Sequence, residues 1–282
     1  MVVLSFDQLY KTKELKQMPA ILSIGVYDGM HIGHQRIIGT TVELAQKEEG
    51  TKSAILTFSQ NPKTLLGRNP YDKPLMSLRQ FTETLIGQGV DYLVVIDFSP
   101  EFSKLTGEEF IARCCDIFAV RAVVVGENFR CGLKADTGVK ELKELLPRYA
   151  QNAQLHVPSM YTLLDGTIDS STIVRRTLTQ GRVAEIPNQL GRHYSVDLAH
   201  IPSRNSGYPL LFAISSFVQL LPPPGAYESV LVLEDRSTVA VIAVVGQEFL
   251  ELRSNCESEK SVFPAGSATV RYDNLQFVKE LT

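Results

Sequence analysis

Apolar positions along the chain fall into two regimes. From the N-terminus to about residue 180, short continuous apolar runs alternate with segments of helical period. Ala20–Ile24, Ser53–Phe58, Tyr92–Phe98, Ala122–Val125 and Gln154–Val157 predict strands, and Tyr92–Phe98 (YLVVIDF) is apolar enough to be buried on both faces. Between them, Gln35–Glu49 carries Ile37, Ile38, Val42, Leu44 and Ala45 near helical spacing. Leu78–Gln88, Glu108–Phe118, Val139–Leu146 and Ser171–Gln180 predict further helices, the first closed by Gly89 and the last by Gly181. Alternation of this kind predicts an α/β fold with a doubly wound parallel sheet.

After about Leu190 the helical period is lost. Ser229–Leu233, Val239–Val245, Phe249–Leu252, Thr269–Tyr272 and Leu275–Val278 are short β-rich runs, preceded by the turn-forming Pro222, Pro223, Pro224 and Gly225. They predict a small antiparallel β-barrel or sandwich. The boundary falls near Ile186–Tyr194, which gives domains of 1–186 and 187–282.

The most informative segment joins the first strand to the first helix. Gly25 to His34 reads GVYDGMHIGH. Parallel sheets bind ligands at this place, beyond the carboxyl ends of their strands. Gly25, Gly29 and Gly33 permit close backbone approach and positive φ. His31 and His34 are three apart where the helix begins, so a helical first turn puts both on one face. Unpaired N–H groups and the positive dipole end attract an anion there, and two imidazoles add donors for phosphate oxygens and for charge on a leaving pyrophosphate. Asp28 is a short acceptor in a tight turn and is read as a turn-stabilising residue rather than a metal ligand. A second anion cradle is predicted at Asp169–Arg175, DSSTIVR, where Ser170 or Ser171 can cap the last helix and Arg175 lies one turn in. Gly126–Gly132, GENFRCG, follows the fourth strand and offers Asn128 and Arg130, while Phe58 precedes Ser59–Pro62 at the end of the second. The chain lacks the G-x-x-x-x-G-K-[ST] and G-x-G-x-x-G patterns, which argues against a P-loop protein and against dinucleotide redox chemistry. The residues point to a nucleotidyltransferase that uses a nucleoside triphosphate.

Composition narrows the partners. The formal net charge is −3, so no global basic field for nucleic acid is present. No apolar run approaches membrane-spanning length, and the N-terminus lacks the pattern of a secretory signal. Four cysteines without C-x-x-C spacing suit free thiols in a reducing cytoplasm, with Cys114 and Cys115 read as helix packing. The sequence leaves oligomeric state open.

At this point the chain resembles the prokaryotic bifunctional riboflavin kinase/FAD synthetases over nearly its whole length. The family's G-x-F-D-G-x-H-x-G-H reads here as Gly25 to His34, with Tyr27 in place of Phe; its T-F-x-P-H-P loop reads as Thr57 to Pro62, TFSQNP. Its G-x-[DN]-F-x-F-G reads as Gly126 to Gly132 with Cys131 for the second Phe, and its I-S-S-T-x-[IV]-R as Asp169 to Arg175 with Asp169 for Ile. Leu190 to Tyr194, LGRHY, looks like the link into the kinase module. The resemblance implies transfer of the adenylyl group of ATP to FMN, with Mg²⁺, giving FAD and pyrophosphate. It implies that His31, His34, Asn128, Ser171, Thr172 and Arg175 hold the triphosphate, with His31, His34, Asn128 and Arg175 catalytic. Gly25, Tyr27 and Gly33 then pass near the nucleotide, and Phe58 and Asn61 lie toward the flavin. No protein metal site is expected. The departures at Gln60, Asn61 and Cys131 fall on the flavin side.

The second half departs further. The kinase pattern G-[FY]-P-T-A-N reads as Gly207 to Phe212, GYPLLF, and Leu210 and Phe212 offer no oxygen ligand for Mg²⁺. Pro224 to Tyr227 still resembles the strand entry of that module, and Glu251 reads either as aligned with its base or, without the metal site, as a strand carboxylate facing water. The expectation is an FAD synthetase with a degenerate riboflavin-kinase-like barrel. The alternatives are a fully bifunctional enzyme, a superfamily member acting on another phosphorylated acceptor, and a flavin-binding regulatory pseudoenzyme. His31-Ile32-Gly33-His34 also resembles class I aminoacyl-tRNA synthetases, but no K-M-S-K-S-type loop accompanies it.

Overall fold

The computed structural model describes residues 1–11, 16–65, 67, 73–163, 166–204, 209–254 and 272–281. The chain divides into two compact units whose segments interleave along the sequence. Unit 1 comprises Met1–Tyr27, Gly33–Asp72 and Phe81–Thr162; unit 2 comprises Asp28–Ile32, Lys73–Gln80 and Leu163–Thr282. This partition by packing differs from a single cut at 186/187, because it groups parts of the first 186 residues with the β-rich region.

Unit 1 is built on a six-stranded parallel sheet. Its strands are β1 (Val2–Ser5), β2 (Met18–Ile24), β3 (Lys52–Phe58), β4 (Tyr92–Ile96), β5 (Phe118–Val124) and β8 (Gln154–His156). The short β6 (Arg130–Cys131) and β7 (Thr137–Gly138) form a separate antiparallel ribbon. Sheet order is β1-β4-β3-β2-β5-β8. From β2 the chain winds outward through β3 and β4, then returns to place β5 on the other side of β2. The β2/β5 pair is therefore the switch point at which doubly wound sheets open a crevice. Side-chain alternation along β2 divides the cores. Leu22 and Ile24 join Phe110, Ile111, Leu142 and Leu146, while Ile21 joins Ala45, Ala122 and Val124. One face thus packs on α5 (Gly107–Ile117) and α6 (Val139–Tyr149), the other on α2 (Ile32–Gln46). The remaining helices before residue 150 are α1 (Phe6–Lys11), α3 (Pro62–Leu65) and α4 (Leu78–Gly87). A reciprocal capping box between Thr106 and Glu109 starts α5. The α/β reading holds, and the elements it does not foresee are edge strand β1, helices α1 and α3 and the ribbon strands β6 and β7, each too short for a periodic signal. Strand β5 also begins four residues before the expected Ala122.

Unit 2 carries α7 (Ser171–Thr179), α8 (Pro187–Leu190) and an antiparallel sheet. The sheet's strands are β9 (Tyr194–Asp197), β10 (Leu210–Ala213), β11 (Gly225–Leu233), β12 (Thr238–Val245), β13 (Phe249–Ser254) and β14 (Tyr272–Leu281). They run in the order β10-β13-β12-β11-β14-β9. Residues alternate between buried and accessible along β11 and β14, as a sheet with one core face requires. Of the expected strand Thr269–Tyr272, residues 269–271 lie outside the described residues, as do Cys256, Gly207 and Tyr208; Tyr272 opens β14. Strands β9 and β10 were not anticipated, since four residues each give little pattern. The core of this unit joins Val174 and Leu178 of α7 to Leu210, Phe212, Tyr227 and Phe277 of the sheet. Lys73–Gln80 is fastened to the same sheet by polar contacts. Arg79 donates from Nε and Nη2 to Asp197 at 2.9 and 2.8 Å and from Nη1 to Asp273 at 2.6 Å, and Gln80 donates to Asn274 at 2.7 Å.

Candidate active site

The turn after β2 contributes to each unit separately. In unit 1, Tyr27 is buried, and its ring lies so close to Gly25 that a Cβ there would sit 2.9 Å from Cζ. Gly25 is thus required for close approach by an aromatic side chain. The hydroxyl that distinguishes Tyr27 from the family's Phe shares a 2.7 Å hydrogen bond with Ser23, whose own hydroxyl donates to the Val124 carbonyl at 2.8 Å. Burial pushes the Tyr27 phenol up, against a smaller opposing effect of the Ser23 bond. Phe81 stacks on Tyr27 at 6.0 Å, and the half-buried His34 meets it edge-on at 5.3 Å. Gly33 lies in the first turn of α2.

Other unit 1 candidates lie on loops beyond the strand ends. Asn128 is exposed after β5 and donates to Met160 Sδ at 3.4 Å. Arg130 is exposed, 3.7 Å from Glu141. Phe58 ends β3 half-buried, edge-on to Phe98 at 5.8 Å and to Phe102 at 6.1 Å. Asn61 accepts through its carbonyl from Thr64 and Leu65 at the start of α3, beside the exposed Gln60. Cys131 packs against the apolar core, and burial, helped by Asp136, pushes its thiol up to about 12. Cys114 is a core residue of α5, as expected, with its thiol raised by burial. Neither thiol is suited to act as a nucleophile near neutral pH.

In unit 2, residues 28–32 of the turn pack against the first turn of α7. Ser170 is the N-cap and accepts from Ile173 N; Ser171 donates to the Asp28 carbonyl at 2.8 Å. Arg175 is buried. Its Nη2 donates to Asp28 Oδ2 in a very short ion pair, and its Nη1 donates to the Lys73 carbonyl at 2.7 Å. Asp28 Oδ1 accepts from Leu75 N at 2.8 Å, so Asp28 holds backbone as expected, though on a distant segment. Thr172 is exposed on the same first turn. Gly29 has φ +78° and would place a Cβ 2.9 Å from Leu75 Cδ1, so its lack of a side chain is needed twice over. Met30 takes φ +47°, an uncommon conformation for a residue with a side chain, and is fully buried. Arg192 donates to the carbonyls of Gly29 at 2.9 Å and Met30 at 3.3 Å and so grips this turn. His31, 7% exposed, has Nδ1 3.4 Å from Asp169 Oδ2, and the Asp169 side chain is completely buried.

The two motifs singled out in the sequence therefore meet within unit 2, at Asp28–Ile32 and Asp169–Arg175. Arg175 acts there as a structural clamp on Asp28, a role its place in a phosphate motif did not suggest. Sequence reasoning also missed Arg192, although LGRHY marked its position. Among the described residues, no group of three or more His, Cys, Asp or Glu is arranged to hold a metal ion, and no helix is long and apolar enough to cross a membrane.

Leu210 and Phe212 are fully buried in the sheet core, and Phe212 packs edge-on to Tyr272 at 5.8 Å. Glu251 receives Nε and Nη2 of Arg253 at 2.8 and 2.9 Å. Against a small burial effect, that bidentate pair holds the carboxyl below its usual range.

The family model for FAD synthetase matches residues 13–172. A bifunctional riboflavin kinase/FMN adenylyltransferase of Listeria monocytogenes is 28% identical over 222 residues, covering 77% of this chain and 69% of its own length. An FAD synthetase from the same organism is 29% identical over 178 residues, covering 63% of this chain and 70% of its own. A crystal structure of a macrolide-efflux protein from Streptococcus pneumoniae has TM-score 0.76 at 17% identity, covering 100% of this chain and 91% of its own. That last likeness speaks to fold alone.

Proposed function

The chain belongs to the FAD synthetase family, and on that premise we propose that it transfers the adenylyl group of ATP to FMN. An FMN phosphate oxygen attacks the α-phosphorus, the bond from that phosphorus to the bridging oxygen breaks, and pyrophosphate leaves. Proton transfer to or from carbon and a covalent enzyme intermediate are both unnecessary, so catalysis is positioning plus stabilisation of charge on phosphate oxygens. The reading assigns the triphosphate to Gly25, Tyr27, His31, Gly33, His34, Asn128, Ser171 and Thr172. His31, His34 and Asn128 serve as donors, and Phe58 and Asn61 are assigned to the flavin. Arg175 is assigned to the triphosphate as well, and its Nη2 and Nη1 also hold Asp28 and the Lys73 carbonyl in the turn. Mg²⁺ travels with ATP and offsets the triphosphate charge; no protein cluster is assigned to it. The observation that carries the reading is the docking of Asp28–Ile32 on the Ser-Ser-Thr-x-x-Arg helix start, held by Ser171 and Arg175. Incubation with FMN, ATP and Mg²⁺, followed by chromatography, should show FAD and pyrophosphate in equal amounts. His31→Ala and His34→Ala should each lower turnover at least roughly tenfold, about 1.4 kcal/mol. Unchanged turnover in both removes the histidines from the mechanism.

The domain carrying this activity is assigned to residues 1–186, with 187–282 a degenerate kinase-like module and a cytoplasmic location. Burial of Leu210 and Phe212, and the pairing of Glu251 with Arg253, support loss of riboflavin phosphorylation. ATP-dependent formation of FMN from riboflavin by the purified protein would overturn that part.

A further inference from the structure

Asp169 stands where the family pattern carries an apolar residue. Its side chain has no solvent exposure, and among the described residues neither of its carboxylate oxygens accepts a hydrogen bond. A carboxylate so placed has lost hydration without regaining it from protein donors, which is strongly unfavourable unless a charge or a donor faces it. Arg175, six residues on, makes no hydrogen bond to it and donates to Asp28 and the Lys73 carbonyl. The group that faces Asp169 is the His31 ring, with Nδ1 3.4 Å from Oδ2. That is an ion-pair distance rather than a close hydrogen bond, and a small ring rotation would close it.

We propose that Asp169 is a positioning residue for adenylyl transfer, acting through His31. Its carboxylate holds the hydrogen of the imidazole on Nδ1 and leaves Nε2 as the nitrogen offered to the triphosphate. The tautomer of a histidine is set by the partner of its other nitrogen, and a carboxylate partner requires N–H on the facing side. An imidazole that donates to phosphate from Nε2 carries hydrogen on both nitrogens, and Asp169 supplies the counter-charge for that form. The same arrangement of acid behind imidazole orients histidines in other catalytic settings. An apolar residue at this position leaves the ring's second nitrogen without such a partner. The inference rests on the adenylyl-transfer reading for its kinetic consequence, but its structural content does not.

Two measurements separate these layers. The first is ¹⁵N–¹H correlation spectroscopy of the imidazoles in the full chain, whose five histidines permit assignment of His31 by its absence in His31→Ala. Wild type should show Nδ1 protonated at His31. Asp169→Ile should shift the tautomer toward Nε2–H, and Asp169→Asn, which keeps an acceptor but no charge, should retain Nδ1–H. The second is kinetics. Asp169→Ile should lower kcat about tenfold with KM for ATP changed less than threefold, Asp169→Asn should recover part of the loss, and in the His31→Ala background Asp169→Ile should cost no more than about twofold. An unchanged His31 tautomer in Asp169→Ile overturns the proposal, as does a full tenfold loss in the His31→Ala background. If wild type makes no FAD, the adenylyl-transfer reading fails while the tautomer comparison still decides the role of Asp169. Asp169→Ile removes a buried carboxylate and leaves an imidazole, which unlike a guanidinium can be neutral, so no uncompensated charge remains; its thermal midpoint should be no lower than that of wild type, and kinetic loss in this variant is not loss of fold.

Discussion

Replacing Asp28 by Asn tests what holds the histidine turn. Asp28 makes two bonds that matter: Oδ2 accepts from Arg175 Nη2, and Oδ1 accepts from Leu75 N at 2.8 Å. Their side chains are 11% and 5% exposed, so water cannot readily replace what is lost. Asn keeps the shape and one acceptor but takes the carboxylate charge away from the buried Arg175 guanidinium, which still donates to the Lys73 carbonyl. Breaking one side of a buried pair costs about 3–5 kcal/mol because the remaining charge stays buried. The slight access at Asp28 favours the lower end, about 3 kcal/mol. At about 2–4 °C per kcal/mol for a chain of this size, the calorimetric midpoint should fall by about 6–12 °C. The double variant Asp28→Leu/Arg175→Met removes both charges together and should regain most of that loss, since buried pairs replaced by apolar side chains are often close to neutral. A loss under about 1 kcal/mol in Asp28→Asn, or a double variant less stable than the single, would refute the view of this pair as the clamp of the turn.

Three further outcomes follow from the same geometry. Arg192→Met removes the donors to the Gly29 and Met30 carbonyls and should cost about 1–3 kcal/mol in unfolding free energy, with kcat lowered at least about tenfold as the left-handed Met30 relaxes; denaturant titration and FAD formation report the two. Burial raises the Asp197 carboxyl, but hydrogen bonds from Arg79, Ser77 and Ala199 N together with the Arg79 charge outweigh it and hold the group low; its stabilisation is therefore complete above the ordinary carboxylate range and lost as pH falls through the depressed value. Asp197→Asn should accordingly flatten the acid side of the stability–pH curve and leave its shape above pH 6 unchanged, as measured by thermal melts from pH 3 to 8. Tyr27→Phe, which restores the family's residue, loses one bond to Ser23 while Ser23 keeps the Val124 carbonyl, so it should cost about 0.5–1.5 kcal/mol by denaturant titration.

Strand and helix placement in unit 1 was readable because apolar runs and helical spacing are local signals that match the packing they serve. Ile21 and Leu22 are adjacent yet belong to opposite cores, and the strand's alternation alone requires that. The histidine turn and the Ser-Ser-Thr helix start were readable for the same reason, since each is a contiguous motif at the end of an element. What escaped was the packing of distant segments on one another. Nothing in Lys73–Gln80 announces that Arg79 reaches Asp197 and Asp273, because an arginine on a polar helix start is ordinary until its partners are known. The interleaving of the two units follows from such contacts, as does the hold of Arg175 on Asp28. A motif names residues that belong together; it does not say which of them face the ligand and which face each other.

Departures from a pattern carry information of a different kind, and three of them here separate on physical grounds. Tyr27 adds a hydroxyl to an apolar position, and Ser23, four residues away on the preceding strand, supplies its partner, so the change is compensated locally. Cys131 replaces an aromatic with a smaller apolar group that packs on the core of unit 1. Asp169 is the exception, for it adds a charge on a side chain without exposure that accepts no hydrogen bond among the described residues. A buried charge of that kind is expensive, and local consistency is expected to fail where function requires it. The imidazole it faces is the first histidine of the turn. Stability alone would favour an apolar side chain at this position, so the presence of Asp169 argues for a task that an apolar side chain cannot perform on His31.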